Sequence, residues 1–449
     1  MDSIYNFLKN VWIDLKNETK EDPSFIFILF LLITIPLSLA ISNVFLILFI
    51  LTTLIKWNKK NFYFSKELLL PMLFFFIMSA SYFWSIDKSL TLKAIPKEIT
   101  LLLIPVMFIL KEKTLNTQKL FKYYSFGMIV YIIYYLSRAL IRFLIVNDTS
   151  YFFYHGDYDT DIGLVPKDLN AIHVSIFMCL GYFYFLKKED KIFLDKVILA
   201  LFFCFVLLLS SKNIILIFFL LNGMYLFFYS KLANKIRLRN LIILGFVIAF
   251  VVSFGKIKER FLIEFQTNTS KSISSNVISN LPQGVHNVSV YEAWANESFT
   301  PNNFFSGTAF RVYQARLFFE FLTEDTIFWN GFGLNASYQK LEEKGIKYNI
   351  FLGDSGNEGY QKKNFHNQYL QVFAELGFFG FLILVTILFI NIKNAFQSKD
   401  FTHIAFAILM ISLFLTESFL WRQRGVVFFT LFYCLFNASS VRYNLEERK

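Results

Sequence analysis

HNQYLQVFAELGFFGFLILVTILFIN, residues 366–391, is the stretch whose reading decides the fold. After Glu375 it runs to Ile390 without a charged residue. With its opening turn it has the length, about 20 residues, that an α-helix needs to cross roughly 30 Å of hydrocarbon. The chain holds other runs of this kind. We read about twelve spans, near 24–40, 42–56, 67–84, 93–110, 123–146, 168–186, 192–210, 212–230, 240–255, 367–391, 401–420 and 425–440. The composition of the 449 residues agrees: 55% are hydrophobic, only 17% are charged, and mean hydropathy is +0.49. Soluble domains carry about 25% charged residues. A transmembrane β-barrel is excluded, because its strands alternate apolar and polar residues over about 10 positions. Disorder and a soluble Rossmann or TIM-barrel enzyme are excluded by the same runs. The expected fold class is an all-α polytopic membrane protein.

The net charge of +11 would suggest nucleic acid in a soluble protein. In a membrane protein it reads first as cytoplasmic loop charge, and no nucleic-acid partner is expected. Lys56, Lys59, Lys60 and Lys66 mark one such loop, and Lys111, Lys113, Lys119 and Lys122 the next. Lys187, Lys188, Lys191 and Lys196 follow, then Lys231, Lys235, Arg237 and Arg239, then Lys393 and Lys399, and finally Arg442, Arg448 and Lys449. They fall at every second loop, which places both termini in the cytoplasm. Residues 1–23 lack the short apolar core of a cleavable signal. There Ile4, Leu8, Val11, Trp12 and Leu15 share a helical face, as in an interfacial helix. Cys179, Cys204 and Cys434 lie inside apolar runs without metal spacing, so no disulfide framework is expected.

The opposite side carries an acidic loop, 147–167, with Asp148, Asp157, Asp159 and Asp161, and a much longer polar segment, 256–366. A loop that long usually carries function. Cations on this side break the charge trend. They are Lys212 in LLLSSKNIILIFF (207–219), Arg311 in SGTAFRVYQARLFFEFL (306–322), and Arg422 and Arg424 in TESFLWRQRGVVFF (416–429). A single one would serve as a snorkelling side chain. Four together favour an anionic ligand at the membrane boundary, and a guanidinium fork matches phosphate oxygens in two contacts.

His366 stands where the polar loop gives way to a span, at the positive end of a helix, where a neutral imidazole is favoured. Such an imidazole can accept a proton from a hydroxyl. His155, His173, His286 and His403 read as ordinary core or interfacial histidines. In FWNGFGLNAS (328–337), Gly331 and Gly333 permit a tight loop close to a ligand.

These segments, in this order, resemble the O-antigen ligase and O-antigen polymerase family of bacterial membrane glycosyltransferases. FWSIDKSLTLKAIPKEITLLLIP (83–105) resembles the family's Trp-Ser-x-Asp segment, and 207–219 its Ser-Arg segment. AFRVYQARLFF with FWNGFGLN resembles the Arg-then-Gly-x-Gly part of its large periplasmic loop, and HNQYLQVFAELGFFGFLILV (366–385) its His-Asn-x-x-Leu signature. One departure is Lys212, where the family usually has arginine. Lysine keeps the charge and loses the fork.

The resemblance implies a GT-C-like glycosyltransferase bundle in the bacterial inner membrane. Residues 1–23 would be a cytoplasmic amphipathic segment, 24–255 the first nine spans, 256–366 a periplasmic loop, 367–440 the last three spans, and 441–449 a cytoplasmic tail. A saccharide would pass from undecaprenyl pyrophosphate to an acceptor hydroxyl. The acceptor would be lipid A–core in a ligase, or a lipid-linked repeat in a polymerase. The implied chemistry is inverting, with no metal or other cofactor. Arg311 and Lys212 would stabilise the leaving pyrophosphate, and His366 would take the acceptor's proton. Arg422 and Arg424 could hold further phosphates. Asn367, Tyr369, Trp329 and Trp421 are candidates for sugar or lipid contact, beside Gly331 and Gly333. Two other readings stand. One is a related peptidoglycan-type polymerase or teichoic-acid ligase, distinguished by its acceptor. The other is a flippase for lipid-linked saccharides, which internal repeats and mid-span charges would favour.

Overall fold

The computed structural model describes residues 2–57, 65–111, 115–154, 156, 162–253, 286–353 and 359–446. Lys59, Lys60, Lys113, His155, Asp157, Asp159, Asp161, Arg448, Lys449 and the first part of the large loop lie outside the described residues. So do the side chains of Ile4, Leu8 and Arg442.

Helices occupy each of the apolar stretches expected from the sequence. They are α1 (Asp2–Glu21), α2 (Ser24–Thr34), α3 (Leu39–Ile55), α4 (Lys66–Ala80), α5 (Lys88–Glu98), α6 (Thr100–Leu110), α7 (Thr117–Val146), α8 (Ala171–Lys187), α9 (Phe193–Leu208), α10 (Lys212–Met224) and α11 (Asn234–Ser253). The large loop contributes β1 (His286–Val288), α12 (Val290–Ala295), β2 (Asn303–Phe305), α13 (Gly307–Glu324), α14 (Ile327–Asn330) and α15 (Ser337–Lys347). The chain ends in α16 (Gln368–Ser398), α17 (Phe401–Phe414) and α18 (Gln423–Glu446). Among the described residues, four segments are long and apolar enough to cross a membrane by length and composition: Lys66–Phe83, Thr117–Val146, Lys212–Tyr229 and Gln368–Ser398. Those at Ser24–Thr34, Leu39–Ile55, Ala171–Lys187 and Phe401–Phe414 are apolar but shorter. The stretch read as one span at 93–110 is two helices that meet at Ile99. The first starts at Asp87, whose carboxylate caps the amide of Leu90, and carries Lys93 and Lys97.

Among the described residues two large apolar cores result, with two small satellite clusters. One fills the bundle, where Phe74, Phe177, Phe183, Phe202, Phe205, Phe218, Phe406 and Phe429 are fully buried. The second lies inside the large loop, built from Phe299, Phe305, Phe310, Tyr313, Leu317, Phe321 and Phe365. It reaches α16 through Ala374. In this loop β1 and β2 pair in parallel, with His286 opposite Asn303.

The seam between the cores is knitted at a kink in α16. Gly377 takes φ +67° there, a conformation open to glycine. The carbonyls of Ala374 and Glu375 accept instead from the amides of Phe332 and Gly333, both at 2.8 Å. On its other side this loop meets the turn before α5. Trp84 Nε1 donates to Asn330 O (2.7 Å), Ile86 N to Phe332 O (2.9 Å), and Thr91 Oγ1 to Leu334 O (2.7 Å).

At the N-terminus, the described apolar side chains of α1 divide between two directions. Val11 and Leu15 pack on the bundle, while Trp12 is 68% exposed. The inward side is fixed by ion pairs of Asp14 and Glu18 with Lys119 of α7 (2.8 and 2.5 Å).

Candidate functional site

The opening turn of α16 positions His366. Asn367 caps the helix, its Oδ1 accepting from the amides of Tyr369 and Leu370 at 3.0 and 3.1 Å. His366 precedes the cap at φ +46°, its amide donating to Asn364 Oδ1 (3.0 Å). Four side chains of this turn hold the connection between α17 and α18. Asn367 Nδ2 donates to Leu415 O (3.2 Å) and Tyr369 OH to Ile411 O (3.0 Å). Gln368 Oε1 accepts from Leu420 N (2.7 Å), and Gln371 Oε1 from Ser418 Oγ (3.4 Å).

That connection carries Glu417, which is 9% exposed. Its Oε2 lies 3.5 Å from His366 Nδ1. Nδ1 makes no aligned hydrogen bond at this distance. The other carboxylate oxygen lies 3.6 Å from Arg311 Nη2. Arg311 comes from the first turns of α13 and is clamped in place. Nε and Nη2 donate to Thr416 O at 3.0 and 2.9 Å, and Nη1 to Gly307 O at 2.9 Å. Phe310, beside it, sets its ring edge-on to the His366 imidazole with centroids 5.8 Å apart. A guanidinium carries five N–H groups. Three are directed at carbonyls, which leaves two.

Lys212 starts α10 and is half-buried. Its neighbour Asn213 fixes that helix end to the same connection. Nδ2 donates to Ser412 O (2.9 Å) and Thr416 Oγ1 (2.8 Å), and Oδ1 accepts from Ser412 Oγ (2.8 Å). Residues 411–420 are therefore the hub on which α10, α13 and α16 converge.

The remaining candidates take other places. Arg422 is exposed at the mouth of the same turn, whereas Arg424 donates from Nη1 to Asp168 O (3.0 Å) across to the loop before α8. Trp421 Nε1 donates to Asn335 Oδ1 (2.6 Å), and Lys97 Nζ stands 5.2 Å from its ring centroid. Trp329 is 57% exposed against Phe378 and Phe379. Gly331 and Gly333 both have positive φ, but protein fills the space a side chain would take. A Cβ on Gly331 would come within 2.3 Å of Glu375 C, and one on Gly333 within 2.4 Å of Ser85 Oγ. Among the other histidines, His173 and His403 are buried, packed on Phe419 and Phe436. His286 pairs with Glu292 at 3.1 Å.

Sequence reasoning missed Glu417. A lone acid beside two arginines reads as a solvated turn, and its position among outward cations was the signal available. An open, charged groove of about 350 Å³ lies elsewhere, between Phe321, Lys340 and Lys344. That is ten residues, or about 15 Å of helix, beyond Arg311, so it does not coincide with the hub.

The arrangement offers an imidazole backed by a carboxylate, next to fixed positive charge, at the seam of bundle and loop. A family model described as O-antigen ligase matches residues 197–385. That segment runs from α9 to α16 and includes Lys212, Arg311 and His366. No curated protein matches the chain. With its apolar helices, the match supports the O-antigen ligase family, whose members are glycosyltransferase-like, for this multi-pass membrane protein.

Proposed function

We propose that the protein is an O-antigen ligase-type transferase that moves a saccharide from undecaprenyl pyrophosphate to a hydroxyl of lipid A–core. The carrying observation is the convergence of His366 and Arg311 on Glu417. With Nδ1 facing the carboxylate, Nε2 is the nitrogen left to accept a proton. The bond between the anomeric carbon and the pyrophosphate oxygen breaks as the acceptor oxygen attacks that carbon. The acceptor's proton passes to Nε2, and Glu417 steadies the imidazolium, as a carboxylate does in a catalytic triad. The leaving pyrophosphate takes the bonding electrons. The N–H groups of Arg311 that no carbonyl holds and the charge of Lys212 meet the negative charge that grows there. Arg422, exposed at the turn, would receive an outer phosphate. Attack opposite the leaving group inverts the anomeric centre, and these side chains supply the charge that a divalent cation would otherwise bring.

Asn367 and Tyr369 act in this scheme by holding the hub, since their polar atoms are engaged within the protein. Gly331 and Gly333 act by letting the loop approach α16. The test is transfer by purified protein given lipid-linked donor and either lipid A–core or a second lipid-linked repeat. Product on lipid A–core that vanishes in His366→Ala and Arg311→Ala, with folding retained, supports the ligase. Product only on the lipid-linked repeat assigns a polymerase. Full activity in His366→Ala removes the base.

A further inference from the structure

We propose that the outward face of α1 is a docking surface for anionic lipid headgroups, separate from the transfer site. Tyr5, Lys9, Trp12, Ile13, Lys16 and Lys20 are all exposed on it. Lys9, Ile13, Lys16 and Lys20 follow the i, i+4, i+7, i+11 spacing of one helical stripe. The helix is not basic overall, since it also carries Asp14 and Glu18. The fold sorts these charges. Asp14 and Glu18 turn inward onto Lys119, with Lys122 3.6 Å from Asp14, and Tyr123 OH also donates to Asp14. These pairings hold the Asp14 carboxyl below its ordinary range, chiefly through the bond from Lys119. The three lysines therefore face outward with only Glu21 against them among the exposed, described side chains.

Two features put this face at the edge of a bilayer. The apolar helix α2 begins at Ser24, directly after Asp22 and Pro23, and Asp22 is tied by an ion pair to Lys111 at the end of α6. The lysines that clamp α1 belong to the first turns of α7, a segment long enough to span. Exposed Trp12 and Tyr5 among lysines match the headgroup region, where aromatic rings and cations both reside. An uncharged or zwitterionic surface would leave the lysines without counter-charge, so the occupant is an anionic headgroup layer.

The experiment uses the full-length protein in nanodiscs of phosphatidylcholine alone or with phosphatidylglycerol, read by amide hydrogen exchange over residues 2–21. Exchange should slow in the anionic discs, by about fivefold for each lysine engaged, and the gain should fade at high salt. The combined variant Lys9→Gln, Lys16→Gln and Lys20→Gln should lose it. Equal exchange in both lipids overturns the proposal, as does a difference that survives the triple variant. Protection that follows the number of protein copies per disc assigns the face to a second copy and also overturns it.

Discussion

Glu417 is the residue that His366 and Arg311 share, and in the proposed scheme its partners define what each substitution should do. His366→Ala removes the proposed base and is expected to lower kcat by about 10²–10⁴. Glu417→Gln keeps the shape but withdraws the charge that favours an imidazolium. It should lower kcat by a smaller factor, leave KM for the donor nearly unchanged, and respond to pH differently from wild type. A kcat and KM series against pH distinguishes these outcomes. A KM effect alone would make Glu417 a substrate contact. Lys212 makes a different claim, because a lysine stands where a fork-shaped side chain is usual. If charge is what matters, Lys212→Arg should retain activity within a few-fold while Lys212→Ala loses it, in the same assay. Loss in both would place the requirement in lysine's shape. His366, Arg311 and Lys212 stood out in the sequence as candidates because each sits oddly against an apolar run. Glu417 did not, since acids in turns are ordinary and the hub it belongs to joins segments as far as 203 residues apart.

At the level of elements, the N-terminal half of α16 sets the geometry of the site. Asn367→Ala removes a helix cap and the tie to Leu415 together. The cap alone is worth about 1 kcal/mol, so the unfolding temperature in detergent should fall and kcat with it. Gly377→Ala meets a harder obstacle, because a Cβ there would lie 2.2 Å from Trp329 O at positive φ. The kink should straighten or the loop at Phe332 detach, at a cost of about 2 kcal/mol or more, measurable as lost thermal stability. The sequence marked Gly331 and Gly333 as a tight loop close to a ligand, but composition could not say that the groups packed against them are the α16 backbone at Glu375 and the side chain of Ser85. The large loop carries its own clamp. Glu320 joins Lys344 (2.6 Å), Arg316 (2.8 Å) and Tyr348 (2.8 Å). Burial pushes the Glu320 carboxyl up, and the bonds from Lys344, Tyr348 and Arg316 outweigh it, so it lies below the ordinary 4.5. A depressed carboxylate contributes stability above its unfolded value and loses it as pH falls through the folded one. Limited proteolysis should show the loop intact at neutral pH and opening below about pH 4, with Glu320→Gln insensitive to that step.

For the whole molecule, the decisive question is whether chemistry occurs at one membrane face or substrate crosses between two. A transporter of lipid-linked saccharides needs a site near the bilayer centre, between moving halves, and usually draws on an ion gradient. Here the proposed groups gather where the core of the large loop meets the bundle, on turns and the first turns of helices. Arg311 is fixed to the Thr416 and Gly307 carbonyls, which suits a static pocket more than a swinging one. The sequence suggested a single site through its unusual cations and its long polar loop. It could not convey that the two cores share a seam, because that depends on the kink at Gly377. A surface transferase needs only donor, acceptor and the charged pocket. Protein in liposomes, with ionophores collapsing every gradient and EDTA present, should therefore transfer saccharide at the rate seen without them. In the same vesicles the lipid-linked donor should change leaflet no faster than in protein-free ones. Transfer that stops when the gradient collapses, or faster leaflet exchange that persists in His366→Ala, would move the protein to the transporter class. Transfer that stops with EDTA alone and returns with a divalent ion would leave the protein a transferase. It would then take the charge of the leaving group away from Arg311 and Lys212 and give it to a metal.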